Sequence, residues 1–309
     1  MKFLTSKNHF LYLTILVFVF ISTSALAISG QMPVSKPLDN LTTRDDKIYP
    51  PLPVLTEHSP FPVISAEGAL AVDLSSGVSL YEKNPDARLL PASTTKIVTA
   101  LVALDAYPLD AVIKVGKIRV DGQKMGLTTG EEMRAEDLLY GLLVYSANDA
   151  AEALAAGYPG GREAFVAAMN QKAADLSLTS TSFYNPSGLD GNGHVTTARD
   201  LIRVSEVAMR SPEFAKIVGT KNIIVSDISG KTLHHLANIN ELLGKVPGVL
   251  GVKTGWTENA RENLVTYLER EDRKIMIAVL GSQDRFGETK ELIDWIFANY
   301  KWEEVKPTL

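Results

Sequence analysis

The chain has 309 residues, of which 45% are hydrophobic, and a formal net charge of −5 at pH 7. This length can bury a large core in one domain or two small ones, and the scattered, outnumbered cations exclude a basic stripe that tracks nucleic acid. Because cysteine is absent, disulfides and thiol chemistry are excluded, and any metal site depends on histidine and carboxylates. We expect no cofactor, no metal and no nucleic-acid partner.

Residues 1–27 have the features of an export signal. Lys2 and Lys7 precede an almost wholly apolar run from Phe10 to Ile21, and residues 25–27, Ala-Leu-Ala, have the small-x-small form of a cleavage site. An uncleaved membrane anchor is the alternative, because the run is of borderline length for a bilayer span. In either case we expect the rest of the chain to work outside the cytoplasmic membrane, and to touch it only through this signal.

Residues 28–62 form a polar, proline-rich segment. Seven prolines occur in it, at positions 33, 37, 50, 51, 53, 60 and 62. Such a segment buries little surface, so we predict an extended linker between the signal and the folded domain. A docking peptide for a partner is the alternative.

Residues 63–309 predict one folded domain whose elements change type along the chain. Two short strands joined by a turn come first, helices follow, and three strands and an amphipathic helix come last. The predicted strands are Ala69–Val72, Val78–Tyr81, Val249–Val252, Asn263–Leu268 and Ile275–Leu280, and the predicted helices are Ile97–Ala106, Glu136–Val144, Ala150–Ala156, Arg162–Leu176 and Thr289–Tyr300. We therefore predict an α/β fold with one antiparallel sheet from both ends of the domain, about 66–90 and 205–309. Helices flank this sheet, and about 91–204 form a mostly helical central subdomain.

Ser93 and Lys96 form the first motif that carries chemistry. Pro91 indicates a helix start, so Ser93 lies in the first turn and Lys96, three residues later, lies on the same face. A serine hydroxyl becomes a good nucleophile when a base takes its proton, and a lysine is such a base if burial lowers its pKa. The apolar Ile97 and Val98 favour that burial. Alone the motif is weak, because about one such spacing is expected by chance.

Ser146 and Asn148 form the second motif, after an apolar stretch. A second hydroxyl near a lysine can relay a proton to a leaving group, and the amide of Asn148 can hold a backbone carbonyl and a lysine side chain together. Taken alone, the pattern is more typical of a helix cap, with Ser146 or Asn148 placed before Asp149 and the next helix.

Lys253, Thr254 and Gly255 form the third motif, at the end of a predicted strand. The glycine lets the backbone approach a ligand closely, the threonine offers a hydroxyl, and the lysine fixes a cation at the wall of a cleft. An exposed lysine before a turn is common, so this motif is also modest by itself.

The three motifs together, in this order, are typical of class A β-lactamases and penicillin-binding proteins. The flanking stretches Pro91–Lys96, Tyr140–Leu143, Asn148–Ala151, Asn185–Leu189 and Gly193–Ala198 narrow the resemblance. From about Ala66 to Leu280 the chain resembles the low-molecular-mass serine D-alanyl-D-alanine carboxypeptidases, penicillin-binding proteins of peptidase family S11. The resemblance implies a β-lactamase/DD-peptidase-like fold.

The resemblance also implies a catalytic sequence. Ser93 is expected to form an acyl-enzyme with the penultimate D-alanine of a peptidoglycan stem peptide, and Lys96 to accept its proton. Ser146, held with Asn148, passes a proton to the departing D-alanine, and water then releases the shortened peptide. β-Lactams are expected to acylate Ser93 as covalent inhibitors.

Substrate binding is expected along the third motif, at Lys253, Thr254, Gly255 and Trp256. By the resemblance, Lys253 helps to fix the terminal carboxylate of the substrate. The backbone N–H groups of Ser93 and Trp256 form an oxyanion hole, which is worth a few kcal/mol of transition-state stabilisation.

One position departs from the family pattern, and a second has two candidate residues. Arg261 stands where the family usually has glycine, and its side chain could clasp a carboxylate or narrow the groove. The family also tends to place a base near the start of the next strand, and Arg273 or Lys274 fits that place, with a solvated turn charge as the alternative. His194 is expected to order a loop rather than to bind a metal, and the pair His234-His235 to be structural or exposed.

Three other functions compete with the carboxypeptidase. A DD-endopeptidase of the same family is poorly separated by sequence. A class A-like β-lactamase needs a glutamate that activates the deacylating water, and Glu163 lies in the wrong context for it. A non-catalytic wall-binding module belongs to a different class, and the three intact motifs argue against it.

Overall fold

The computed structural model describes residues 49–56 and 60–305. The predicted signal and residues 28–48 of the predicted linker lie outside this part. The strands are β1 (Leu52–Leu55), β2 (Gly68–Asp73), β3 (Ser79–Lys83), β4 (Val112–Lys114), β5 (Glu132–Arg134), β6 (Asn222–Ser226), β7 (Leu233–Ala237), β8 (Val249–Thr257), β9 (Arg261–Arg270), β10 (Arg273–Ser282) and β11 (Tyr300–Glu303). The helices are α1 (Lys96–Ala106), α2 (Ala135–Leu143), α3 (Asn148–Gly157), α4 (Gly161–Asp175), α5 (Ala198–Met209), α6 (Pro212–Val218) and α7 (Arg285–Asn299), and a short 3-10 helix, Ala92–Thr95, precedes α1.

A five-stranded antiparallel sheet organises the domain, in the order β3-β2-β10-β9-β8. Strands from the start of the domain therefore pair with strands from its end, since Ile275 of β10 lies opposite Asp73 of β2. The predicted α/β fold with one antiparallel sheet from both chain ends is confirmed. In this order β8 is an edge strand, and its outer side is free to border a cleft.

The central strand β10 reads as a continuous apolar run because both of its faces are covered. Met276 and Ala278 belong to the larger core, which lies under helices α1 to α6. Ile277 and Val279, which alternate with them, belong to a second core closed by α7. The side chains of a strand alternate between the two faces of the sheet, and helices cover both faces here. Neither set of side chains on β10 therefore needs to be polar.

Helix α1 is the central helix of the larger core. Its residues from Lys96 to Ala103 are buried, as its nearly uniform apolar sequence predicted. Such a helix can carry a lysine at its first position only if hydrogen bonds compensate for the burial of the amine. The start of α1 therefore places a buried, reactive amine at the edge of the core.

The structure differs from the predicted organisation at both boundaries. Residues 52–55, predicted to be linker, form β1 and pair with β11 from Leu52↔Glu303 to Leu55↔Tyr300. The stretch from residue 205 was assigned to the sheet, but α5 and α6 extend through it to Val218, and β6 and β7 form a separate hairpin. The main sheet resumes only at β8. Within residues 49–56 and 60–305, no helix combines the length and apolar character needed to cross a bilayer.

Candidate active site

Ser93 lies in the 3-10 helix that opens α1, as the position of Pro91 predicted. The preceding residue, Ala92, has a φ of 47°, in the left-handed region that a residue with a Cβ rarely adopts. A loop passes so close to this turn that a Cβ on Gly188 would lie 2.0 Å from the carbonyl oxygen of Ala92. The strained turn and the glycine together direct the Ser93 hydroxyl into a cleft.

The amine of Lys96 is surrounded by three oxygen atoms. Its Nζ lies 2.8 Å from Ser93 Oγ and 2.7 Å from Asn148 Oδ1, and it also contacts the carbonyl oxygen of Ser187. Burial lowers the pKa of Lys96 to about 7, although the charges of Asp149 and Glu152 oppose the shift. A neutral amine has two N–H donors and one lone pair. If the two donors serve Asn148 Oδ1 and the carbonyl oxygen of Ser187, atoms that can only accept, the lone pair faces the Ser93 O–H.

Asn148 and Ser146 hold different lysines, which corrects the expectation that they act as a pair. Asn148 accepts from Lys96 and donates from Nδ2 to the carbonyl oxygen of Asp121 at 2.7 Å. Ser146 instead lies 2.8 Å from Nζ of Lys253. Asn148 begins α3, and neither its side chain nor that of Ser146 caps the helix. The cap interpretation is therefore wrong, and the amide role predicted for Asn148 agrees with its contacts.

A loop over the cleft is anchored to the start of α3. The carboxylate of Asp149 accepts from the backbone N–H groups of Met125, Gly126 and Leu127, at 2.9–3.0 Å. Asp149 had no predicted role beyond following a cap. Its contacts fix the loop whose neighbouring residues Gly122 and Gln123 line the cleft.

Strand β8 forms the opposite wall and presents the third motif. Lys253 is 1% exposed, and besides Ser146 its amine contacts the carbonyl oxygen of Thr254 at 2.9 Å. Burial, and then the positive charges of Lys96 and Arg285, hold the pKa of Lys253 well below its usual range. The hydroxyl of Thr254 is buried and has no hydrogen-bond partner among the described residues. An orphaned hydroxyl at a cleft wall is available to a ligand.

Gly255 and Trp256 complete this wall. A Cβ on Gly255 would lie 3.0 Å from the backbone nitrogen of Ser93 and 3.1 Å from the carbonyl oxygen of Pro91. The glycine therefore lets β8 approach the nucleophile turn closely, whereas the sequence predicted a close approach to a ligand. Trp256 lines the cleft and is 61% exposed. The eight predicted site residues thus converge around one cleft of about 650 Å³, with Lys96 and Lys253 buried directly behind its lining.

Arg285, the first residue of α7, also lines the cleft and was missed by the sequence analysis. Its Nη1 donates to the carbonyl oxygen of Gly255 at 3.0 Å, and its buried Nε has no partner among the described residues. Burial lowers the pKa of Arg285, and the charges of Glu262 and Glu241 oppose the shift. The predicted antiparallel sheet offered a signal that could have placed Arg285 in the cleft. In such a sheet β8 and β10 run in the same direction, so a residue just after β10 lies beside the end of β8.

Arg273 and Lys274, the two bases expected near the start of β10, lie at the far end of the sheet. Arg273 stacks over the ring of Trp302, and Lys274 pairs with Glu269 at 3.6 Å. Neither residue lines the cleft. Bases therefore do occupy this position, at the end of the sheet opposite the cleft, and the exposed Lys274 agrees with the alternative of a solvated turn charge.

Arg261 does not enter the cleft either. It has a φ of 56°, in the region that favours glycine, and this explains why a glycine would fit the turn between β8 and β9. Its guanidinium lies 3.4 Å from the carboxylate of Glu67, away from the cleft lining. The hypothesis that Arg261 clasps substrate or narrows the groove is contradicted.

Two of the described histidines, His194 and His234, are buried and structural. His194 is 1% exposed, its Nε2 lies 2.8 Å from Thr95 Oγ1, and burial lowers its pKa to about 4, so the ring is neutral. His234 is buried between the carbonyl oxygen of Met125 and the carboxylate of Glu131, whereas His235 is exposed. Within the described part of the chain, no three His, Asp or Glu side chains are grouped as metal ligands.

The comparison with known proteins agrees with this geometry. The model of the peptidase S11 family, described as D-alanyl-D-alanine carboxypeptidase, matches residues 54–284. The chain belongs to the peptidase S11 family. The matched range begins within β1 and ends just before α7, so it includes all three motifs of this S11 chain.

Two relatives and one solved structure show the extent of the similarity. D-alanyl-D-alanine carboxypeptidase DacB2 of Mycobacterium tuberculosis is 37% identical over 249 residues, which are 77% of this chain and 84% of that protein. DacF of Bacillus subtilis is 32% identical over 246 residues, which are 76% of this chain but only 63% of DacF. The crystal structure of the Streptomyces K15 DD-transpeptidase matches with a TM-score of 0.73 at 30% identity, covering 78% of this chain and all of that one. Further relatives are D-alanyl-D-alanine endopeptidases, at 31–32% identity.

Proposed function

We propose that this S11 chain is a serine-type D-alanyl-D-alanine carboxypeptidase that removes the terminal D-alanine from peptidoglycan stem peptides. The observation that carries the proposal is the contact of 2.8 Å between Lys96 Nζ and Ser93 Oγ, with the pKa of Lys96 lowered to about 7. A serine beside an amine that is neutral at working pH is an activated nucleophile. We place the reaction outside the cytoplasmic membrane, in the cell-wall compartment.

In the proposed acylation step, Ser93 Oγ attacks the carbonyl carbon of the penultimate D-alanine. Lys96 takes the hydroxyl proton while Asn148 and Ser187 hold the amine in place. The developing oxyanion accepts hydrogen bonds from the backbone N–H groups of Ser93 and Trp256, which the close approach at Gly255 brings near each other. The tetrahedral intermediate then collapses, and the C–N bond to the terminal D-alanine breaks.

The departing D-alanine needs a proton on its amine and a partner for its carboxylate. Ser146 Oγ supplies the proton and is in contact with Lys253, which can replace it. The carboxylate is bound by the free hydroxyl of Thr254 and the guanidinium of Arg285, because both line the cleft and both have unused donors. Water then hydrolyses the acyl-enzyme, and the shortened stem peptide leaves.

β-Lactams fit the same site, since their strained ring amide presents a carbonyl to Ser93 and a carboxylate to the cations. No glutamate lies where a class A-like β-lactamase would need one, since Glu163 is exposed on α4 and Glu258 is the only acid in the described lining of the cleft. We therefore expect the drug adduct on Ser93 to be long-lived. The endopeptidase differs from the carboxypeptidase in the size of the leaving residue, and a direct assay separates the two.

Intact mass spectrometry after mixing with benzylpenicillin tests the proposal. The wild-type chain should gain the mass of one drug molecule and keep it, whereas Ser93→Ala should gain none. Hydrolysis of the drug without an adduct would favour the β-lactamase. If the drug is neither bound covalently nor hydrolysed, the non-catalytic wall-binding module is favoured. Release of free D-alanine from a D-Ala-D-Ala peptide, compared with cleavage of a cross-linked dimer, then separates the carboxypeptidase from the endopeptidase.

A further inference from the structure

The cleft lining carries one cation and one acid. Arg285 and Glu258 are the two charged residues among the described side chains that line it. Arg285 donates to the carbonyl oxygen of Gly255, at the level of Ser93, whereas Glu258 follows the last residue of β8, beyond Trp256. Under the proposed function, the carboxylate of the leaving D-alanine binds at Thr254 and Arg285.

The acyl part of the substrate must extend toward Glu258. Ser93 lies at the level of Gly255, and the proton donor Ser146 lies beside Lys253, two residues earlier on β8. The leaving residue therefore occupies the Lys253 side of Ser93. The rest of the peptide leaves the scissile carbonyl in the direction of Trp256 and Glu258.

The side chains at this end match an aliphatic chain that ends in a cation. Trp256 offers a flat apolar surface that is 61% exposed, and a large exposed aromatic beside a cleft is a ready binding surface. Glu258 is exposed and forms no ion pair with any cation in the described part of the chain. The neighbouring Asp190 adds a second carboxylate, which accepts from Thr257 Oγ1 and Asn259 Nδ2 at 2.8 Å. The closest cation in sequence, Arg261, is paired with Glu67.

The distances also agree. Strand β8 extends two residues beyond Gly255, to Thr257, which is about 7 Å at ~3.3 Å per residue, and Glu258 opens the turn that follows. In a bound peptide, the Cα of the residue before the penultimate D-alanine lies about 4 Å from the next Cα, and a lysine-like side chain adds about 6 Å. Its amine therefore reaches the carboxylate of Glu258.

We propose that Trp256 and Glu258 form a specificity subsite for a primary amine on the side chain of the residue that precedes the two D-alanines. This inference rests on the proposed function and deepens it. The subsite selects stem peptides whose third residue carries a free amine over peptides in which that amine is blocked or already cross-linked. Glu258 attracts the ammonium group, and the indole of Trp256 packs on its methylene chain and presents a π-face to the cation.

Two tripeptides that differ in one charge test the subsite. Nα-acetyl-L-Lys-D-Ala-D-Ala keeps the ε-amine, and Nα,Nε-diacetyl-L-Lys-D-Ala-D-Ala blocks it. For the wild-type chain at low ionic strength we expect kcat/KM, measured by release of D-alanine, to be about threefold to fivefold higher for the free amine, as for an exposed ion pair. The ratio should fall toward one in Glu258→Gln, reverse in Glu258→Lys, and shrink at high salt.

Glu271→Gln is the matched control, since Glu271 is an exposed carboxylate in the turn between β9 and β10, at the opposite end of the sheet. It should keep the wild-type ratio. A ratio near one in the wild type, or a ratio that Glu258→Gln leaves unchanged, overturns the subsite. If neither peptide is cleaved by the wild type, the proposed function fails instead, so the two failures are distinct.

Discussion

The protonation state of Lys96 should control the rate at which Ser93 is acylated. With a pKa of about 7, lowered chiefly by burial, the amine is neutral above that pH and charged below it. Only the neutral amine can accept the Ser93 proton. The neutral fraction falls to about one tenth at pH 6 and about one hundredth at pH 5, so the acylation rate should fall by the same factors. Stopped-flow measurement of the second-order rate with a chromogenic β-lactam reports this step directly.

Glu152 provides an independent check on the same reasoning. Its negative charge raises the pKa of Lys96, and it is paired with Arg162 at 2.7 Å. Glu152→Gln removes that charge and leaves the arginine, so the midpoint of the pH profile should move to lower pH. Glu163→Gln, on an exposed position of the same region, should not move it. A rate that stays flat from pH 5 to 9, or a midpoint near 10, would refute the assignment of Lys96 as the base.

Three further predictions concern binding, geometry and stability. Arg285→Ala should raise KM for D-Ala-D-Ala peptides by about tenfold or more, because a charged hydrogen bond to the carboxylate is lost, and Arg285→Lys should restore part of it in a D-alanine release assay. Gly255→Ala should slow acylation in a domain that still folds, because the new Cβ would lie 3.0 Å from the Ser93 nitrogen and displace the nucleophile turn; wild-type rates would contradict the role of this close approach. Glu131→Ala should lower Tm by roughly 10 °C in calorimetry, because it strands the buried His234, whose side chain is 4% exposed; a shift within 2 °C would show that the pair is dispensable.

The catalytic site was largely predictable because it is built from short local patterns. The spacing of Ser93 and Lys96 within one helical turn and the strand ending in Lys253-Thr254-Gly255 are each visible in the sequence. Their order along the chain identified the family, and the family supplied the roles. The contacts differ from the predicted pairing of Ser146 with Asn148. Asn148 contacts Lys96, whereas Ser146 contacts Lys253. Such a division depends on tertiary distances of a few ångström, which spacing does not encode.

The errors in the fold have physical causes that a single sequence conceals. Residues 50–53 contain three prolines and read as linker, but Pro53 is compatible with β1, which pairs on one side only. Arg285 follows β10 in sequence and reaches the cleft through the order of the strands, so no local motif marks it. Helix α5 begins at the cap formed by Thr197, whose hydroxyl accepts from the N–H of Asp200. The helical period continues past residue 205 to Met209, and α6 follows, so the predicted start of the sheet at 205 falls inside a helix.

The burial of two lysines in one cleft determines how protons are conserved during turnover. Lys96 and Lys253 each contact a serine hydroxyl, and the charge of Lys96 lowers the pKa of Lys253. Burial also lowers the pKa of Lys96, so both amines release a proton more readily than an exposed lysine does. Under the proposed function, acylation moves the Ser93 proton to Lys96, and Ser146 gives a second proton to the departing amine, which carries it out of the site. The water that hydrolyses the acyl-enzyme restores this proton, because its hydroxyl joins the acyl carbon and its other hydrogen stays in the site. One complete turnover therefore needs no net proton from bulk solvent, although the site is one proton short between its two steps.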